Sequence, residues 1–329
     1  MSSKLEDDDG VYQPTPEIMA VWPAGKSGND VNGLGEADKR APRAVFWRTD
    51  GSTVHEPVLR YFYDVDKNNA AIAEARKYRQ KTADMTVSEI APDAEQKSAD
   101  DWTAEIKALA LAAGADDVGI CEFRDDWWFN DRPKPEGKWA IVMAFEQSWG
   151  EMIKAPHDAA YIEVMNQYSR AGLASKVLAN QIQERGHLAV AKTGPMTEDV
   201  LMIPPAIEAG LGELGKHGSM IHKKFGSNFR LSMVLSDIPL VSDAPEIFGG
   251  DEFCTSCQVC TKACPPRAIS PGKQMVNGET KWYVDFDACI QYFVDNLTCG
   301  ICLAVCPWSR PGIADKLLVK MARRMAAAE

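Results

Sequence analysis

The sequence predicts an α+β fold followed by a separate cysteine-bearing module, and three observations predict it. Helix-period and strand-like segments interleave from Asp101 to about residue 245 without a regular βαβ repeat. Eight of the nine cysteines are confined to the stretch from Cys254 to Cys306. The residues before about Asp100 are rich in Asp, Glu, Gly and Pro and show no sustained apolar period, as in PAGKSGNDVNGLGEADKRAP. The division expected from these is an irregular wrapping segment over 1–100, a core over 101–245 and a cysteine module over 246–329. At 329 residues, 45% of them hydrophobic, the chain is long enough to bury such a core.

Each element of the core has a signal. Ile106, Leu109, Ala110 and Ala113 recur at helical spacing, and Gly114 stops the run. DVGICEF from Asp117 and WAIVMAF from Trp139 are strand-like, the second almost unbroken in apolar residues, as a strand covered on both faces requires. Helical periodicity returns from Tyr161 to Arg185 and ends at Gly186. LAVAK from Leu188 and RLSMVLSDIPL from Arg230 predict two further strands. Between them IPPAIEAGLGELGKHG predicts a short helix opened by Pro204 and Pro205 and closed in glycines. The end, KLLVKMARRMAAAE, predicts a charged helix packed on the cysteine module.

Composition narrows the setting. A formal charge of −11 gives any polyanion an unfavourable average field, so nucleic acid is not expected as a partner. No apolar run is long enough to span a bilayer, and MSSKLEDDDG is acidic where a signal peptide is basic and then apolar. A cytoplasmic protein is expected, its cysteines used as thiolates rather than disulfides.

The cysteines carry the strongest chemical signal. CTSCQVCTKACPP places Cys254, Cys257, Cys260 and Cys264 at C-x2-C-x2-C-x3-C-P, the spacing of bacterial [4Fe-4S] ferredoxins. Cys289, Cys299, Cys302 and Cys306 repeat it with a widened first gap, and Pro307 follows the last. In such pairs the fourth cysteine of each set ligates the other cluster. That logic groups Cys254, Cys257, Cys260 and Cys306 on one cluster and Cys264, Cys289, Cys299 and Cys302 on the other. A four-cysteine zinc site uses two separated C-x2-C pairs, which is not this pattern. Cys121, left over in GICEF, is expected to be a small buried residue.

About three-quarters of the chain precedes the clusters, and there a resemblance emerges. ALAAGADDVGI, MAFEQSWGEMIKAPHDA, NQYSRAGLASKVLANQIQERGHLA, EAGLGELGKHGSMIHKKFGSNFRLSMVLSDIPL and both cysteine motifs, in this order and spacing, resemble the cobalamin-dependent reductive dehalogenases. The resemblance covers nearly everything after Asp101. It implies a nitroreductase-like cobalamin-binding core followed by a bacterial ferredoxin-like double [4Fe-4S] module. It also implies reductive removal of halide from a small organohalide by cobalamin bound base-off, recharged one electron at a time. The D-x-H-x-x-G motif that supplies a cobalt-ligating histidine elsewhere is absent from the sequence.

Site residues follow from the same resemblance. Tyr168, in NQYSRAG, matches the family's Tyr-Ser position and is implied as proton donor; read from the residues alone, it is a helix tyrosine half in the core. A phenol yields its proton reluctantly unless a fixed cation stabilises the phenolate, and Arg230 or, second, Lys216 is the cation expected. GLGELG is formally G-x-G-x-x-G but follows a helix rather than a strand, so a turn close to a cofactor is the better reading. The cofactor-binding positions implied are Gly210, Gly212 and Gly215, with His222 after them; by residue type His217 and His222 are hydrogen-bonding or surface histidines rather than cobalt ligands. The aromatics of DDWWFNDRP either wall a substrate pocket or are buried packing.

Two rival readings remain open. AGLGELGKH and the Cys306-Pro307-Trp308 ending also resemble epoxyqueuosine reductase, although KTGPMTED stands where that enzyme carries an aspartate segment. The other rival is a non-catalytic ferredoxin-type carrier. Without a twin-arginine leader or a reductase module of its own, the chain is expected to depend on an external electron donor such as ferredoxin or flavodoxin.

Overall fold

The structure is a computed structural model and describes residues 10–65, 69–194, 199–296 and 298–327. The strands in chain order are β1 (Asp117–Glu122), β2 (Trp139–Glu146), β3 (Ala189–Lys192), β4 (Glu213–Leu214), β5 (Met220–Ile221), β6 (Phe229–Ser236), β7 (Gln274–Val276) and β8 (Glu279–Lys281). Four of them build the main sheet in the order β1-β2-β6-β3, every neighbouring pair antiparallel. WAIVMAF occupies a central position there, which is why it is apolar on both faces.

The helices of the amino-terminal segment are α1 (Pro16–Val21), α2 (Gly28–Asn32), α3 (Glu56–Val65) and α4 (Ala70–Ala83). Those of the core are α5 (Ala99–Ala112), α6 (Trp149–Met152), α7 (Asp158–Gln183) and α8 (Ile203–Glu208). Alternation along β2 sends Ile141, Met143 and Phe145 to the face covered by α5 and α7, where they bury Trp102, Ile106, Ala171, Ala174 and Leu178. Each large side chain buried here contributes roughly 1.5–3 kcal/mol. Ala140, Val142 and Ala144 face the other way, against Trp127, Ala206 and Leu211. Ala171, Gly172 and Ala174 keep α7 slim enough for close packing, and a Cβ on Gly172 would already lie 3.3 Å from the Thr82 hydroxyl of α4.

The cysteine module contains α9 (Gly250–Ser256), α10 (Val259–Ala263), α11 (Phe286–Asp295), α12 (Ile301–Ala304) and α13 (Ala314–Ala326), with the β7–β8 hairpin between α10 and α11. The basic helix α13 lays Met321, Leu317 and Leu318 over Cys254, Cys306 and Trp308. No helix among the described residues is long and apolar enough to cross a membrane.

Among the described residues, the amino-terminal segment expected to be irregular is partly helical. Four helices form among its described residues because their apolar side chains find partners far along the chain. Ile18, Phe46, Val58, Leu59 and Phe62 close a core with Ile290 and Val294 of α11, while Ile72 and Ala75 of α4 pack on Tyr161 and Met165 of α7. Polar contacts fix the wrap: Asp287 accepts hydrogen bonds from the Ser27 hydroxyl (2.6 Å) and the Gly28 amide (2.8 Å), and Asn29 accepts from Tyr283 (2.9 Å). Bonds to a charged acceptor are worth about 1.5–3 kcal/mol. Asp287→Ala is therefore expected to open residues 10–50 locally, raising their amide hydrogen exchange by about 30-fold, an opening cost lowered by about 2 kcal/mol. Unchanged exchange there would show that the wrap is held by its apolar contacts alone.

Candidate functional site

Eight cysteines are gathered in two places, and all nine are free of disulfides. Cys254, Cys257, Cys260 and Cys306 surround a narrow space closed by Lys216, His217, Phe253 and Trp308. Cys264, Cys289, Cys299 and Cys302 line one end of a cavity of about 810 Å³ that runs to the core. The two groups adjoin, since Cys302 feels Cys260 as well as its own neighbours.

Burial pushes the Cys254 thiol up to about 12, Cys260 to about 11 and Cys289 to about 12, and the neighbouring thiolates add to each rise. Such a set is held deprotonated only by a cation in its midst. Among the described residues no three His, Cys, Asp or Glu groups close round a single metal ion, which binds sulfur at about 2.3 Å in the case of zinc. Cys121 lies apart, buried, with its thiol on the Pro205 carbonyl (3.4 Å) and pushed up to about 12 by burial.

The cavity is walled by Trp127, Leu201, Ile203 and Ile207 from the core and by Trp282, Tyr283 and Val284 from the module. Pro42, Leu201, Ile203, Pro204 and Tyr283 also line an adjoining cavity of about 500 Å³, whose far wall is Val45, Phe46, Trp47 and Arg48 of the amino-terminal segment. Together they offer the apolar volume that a large planar cofactor needs next to a cluster. His217 also lines the cavity, but its nitrogens are engaged: Nε2 meets the Ser227 hydroxyl (2.7 Å) and Nδ1 accepts from the Ser219 amide (3.2 Å). Burial holds it down to about 4, so it is neutral at pH 7, with no lone pair to offer a metal.

Tyr168, on α7, and Arg230, on β6, come together: the guanidinium carbon lies 5.4 Å from the phenol ring centroid. Arg230 Nη1 donates to the Phe229 carbonyl (3.0 Å), and its buried Nε has no partner among the described residues. Arg230 pairs with Phe145 across the ladder and so shares the α7 face of the sheet, whereas the cavity opens on the opposite face. Neither Tyr168 nor Arg230 lines it.

Other expected positions lie elsewhere. Lys216 does not face Tyr168, because its ammonium is turned to carbonyls of the cysteine module, Cys257 (2.8 Å) and Pro271 (2.9 Å). His222 does not line the cavity; it is stacked on Phe225, 4.2 Å between centroids, with Nε2 3.3 Å from Asp117. Gly210, Gly212 and Gly215 serve the chain's own packing. A Cβ would strike the Ala244 carbonyl at Gly210 (2.7 Å), the Ile221 carbonyl at Gly212 (2.3 Å) and the His217 ring at Gly215 (2.6 Å). The cavity meets this loop instead at Leu214, His217 and Gly218. Of DDWWFNDRP, Trp127 lines the main cavity and Phe129 the adjoining one. Part of KTGPMTED, residues 195–198, lies outside the described residues.

An antiparallel core sheet with helices, joined to a module with two sets of four thiols, defines an iron–sulfur protein with room for a second cofactor. Comparison with known proteins sharpens this. A family model described as a 4Fe-4S dicluster domain matches residues 253–309, so the module carries two [4Fe-4S] clusters. Tetrachloroethene reductive dehalogenase of Desulfitobacterium hafniense is 30% identical over 220 residues, covering 63% of this chain and 39% of that protein. A solved structure described as "Reductive dehalogenase structure suggests a mechanism for B12-dependent dehalogenation" matches 94% of this chain and 47% of its own, at a TM-score of 0.73 and 22% identity, and shares the fold. Epoxyqueuosine reductase of Leadbetterella byssophila is 29% identical over 149 residues, 40% of this chain and 43% of that protein. The chain is thus similar to reductive dehalogenases in sequence and in fold, and it spans less than half the length of the curated relatives it matches.

Proposed function

We propose that the protein is a corrinoid iron–sulfur enzyme that reductively removes halide from a small organohalide. The observation that carries this reading is the cavity itself, which has four cluster-set cysteines at one end and the AGLGELGKHG loop along its side. When bound, the corrinoid and clusters supply cleavage of the carbon–halogen bond by two electrons delivered singly, R–X + 2e⁻ + H⁺ → R–H + X⁻, the electrons coming from an external donor such as ferredoxin or flavodoxin.

The chain's own residues supply the rest. Cys254, Cys257, Cys260 and Cys306 would hold the first cluster, and Cys264, Cys289, Cys299 and Cys302 the second, beside the cavity. Trp127, Leu201, Ile203, Ile207 and Val284 would hold the corrin ring and exclude water, and His217, already engaged on both nitrogens, would not serve as a ligand to it. The resemblance would make Tyr168 the proton donor, with the Arg230 guanidinium stabilising the charge left on the phenol oxygen, but the pair lies across the sheet from this cavity, so that role requires the substrate carbon to be reached from the α7 face.

Anaerobic reconstitution of the purified protein is expected to give about eight irons, from two cubes, and one corrinoid per chain. Reduced viologen should then drive halide release from at least one member of a panel of haloaromatics and haloalkanes. Full iron with no corrinoid uptake would leave an electron carrier and remove the enzymatic reading.

A further inference from the structure

Lys216 is a buried cation: 1% of it is exposed. Its ammonium is held by two carbonyl oxygens of the cysteine module and lies 4.9 Å from the centroid of the Trp282 ring. Its own backbone amide donates to the Cys254 sulfur (3.4 Å). The acids around it are committed elsewhere. Asp251 pairs with Lys273 (2.7 Å) and accepts from the Trp282 indole, while Glu213 accepts the amides of Phe248 (3.0 Å) and Gly250 (2.7 Å).

Burying an ammonium is costly, and two neutral dipoles and a π face recover only part of that cost. The missing negative charge is adjacent. Lys216 closes the space among Cys254, Cys257, Cys260 and Cys306, and its charge is felt at Cys260. A cube held by four thiolates is a dianion when oxidised and a trianion when reduced, so a fixed cation beside it favours the added electron.

We infer that Lys216 is the built-in counter-charge of the first cluster and raises that cluster's reduction potential. It acts through the cluster, as a positioning residue rather than one that touches substrate. The inference rests on the assignment of the first cluster's four cysteines and is independent of whether a corrinoid binds.

The test is a dithionite redox titration of the reconstituted full chain, followed by electron paramagnetic resonance, with Lys216→Gln, Lys216→Arg and Lys273→Gln. Lys273 is a control, since it is a partly exposed lysine that lies 5.4 Å from the same Trp282 ring. Lys216→Gln is expected to lower the midpoint of one cluster and not the other, by about tenfold in its one-electron equilibrium, or about 59 mV. Lys216→Arg and Lys273→Gln should keep both midpoints. Loss of one cluster in Lys216→Gln, with both kept at their original midpoints in Lys216→Arg, would equally support a requirement for charge. Unmoved midpoints in a fully loaded Lys216→Gln, equal shifts in both clusters, or a fall in Lys216→Arg as large as in Lys216→Gln would overturn it. A protein that takes up clusters but no corrinoid would still give this answer, so the two ideas fail separately.

Discussion

Cys302→Ala is expected to leave the reconstituted protein with about four irons per chain in place of about eight, and to abolish halide release. Its position explains the size of the effect. Cys302 lines the cavity and feels Cys299, Cys289 and Cys264 of its own set together with Cys260 of the other, so it stands where the two groups adjoin. A lost cubane ligand has no nearby substitute, since the leftover cysteine, Cys121, lies in the core with its thiol on Pro205. Iron analysis and paramagnetic resonance check the outcome. Eight irons and two intact signals in Cys302→Ala would refute the grouping of ligands, and the assignment of the first cluster with it.

Tyr168→Phe carries the second large effect. Iron and corrinoid loading should be unchanged, because the phenol lines neither the cluster space nor the cavity, while turnover should fall by about 100-fold or more, the usual contribution of a positioned acid, provided that the substrate carbon is reached from the α7 face. Arg230→Gln should lower turnover too, and the double variant should lose little beyond the worse single one, because two groups in contact act as a unit. The pair sits on the α7 face of the sheet and the cavity on the other, which makes this the sharper test of how the site is organised. Turnover at the original rate in Tyr168→Phe would place the proton donor elsewhere.

Much of the fold could be read from residue order because local patterns and long-range packing agree. The unbroken apolar run of β2 is a central strand, and the helix expected from Tyr161 to Arg185 is α7, which begins three residues earlier at Asp158. The cysteine spacing was likewise legible, since the geometry of an iron–sulfur cube is written into intervals of two and three residues. The wrapping segment was harder. Helix α2 has five residues, and its capping Ser27 is itself held by Asp287, 260 residues along the chain, a contact no local period announces. A signal for α4 did exist. AAIAEARKYRQKTA is rich in helix formers, and Asn69 caps it by accepting from the amides of Ala71 (3.1 Å) and Ile72 (3.2 Å). Lys216 shows the limit for the site. Its place in the glycine loop was plain, but the direction of its side chain depends on carbonyls 41 and 55 residues further on.

The contacts that tie Tyr12 and Thr15 to Asp295 link residues more than 270 positions apart, and the same holds on a smaller scale for Ser27 and Tyr283 with their partners. During synthesis the early helices emerge long before the residues that cover them. Phe46, Trp47 and Phe62 must therefore stay wet, or be shielded by a chaperone, until α11 leaves the ribosome. Closing this belt therefore has to wait for α11, which itself carries Cys289.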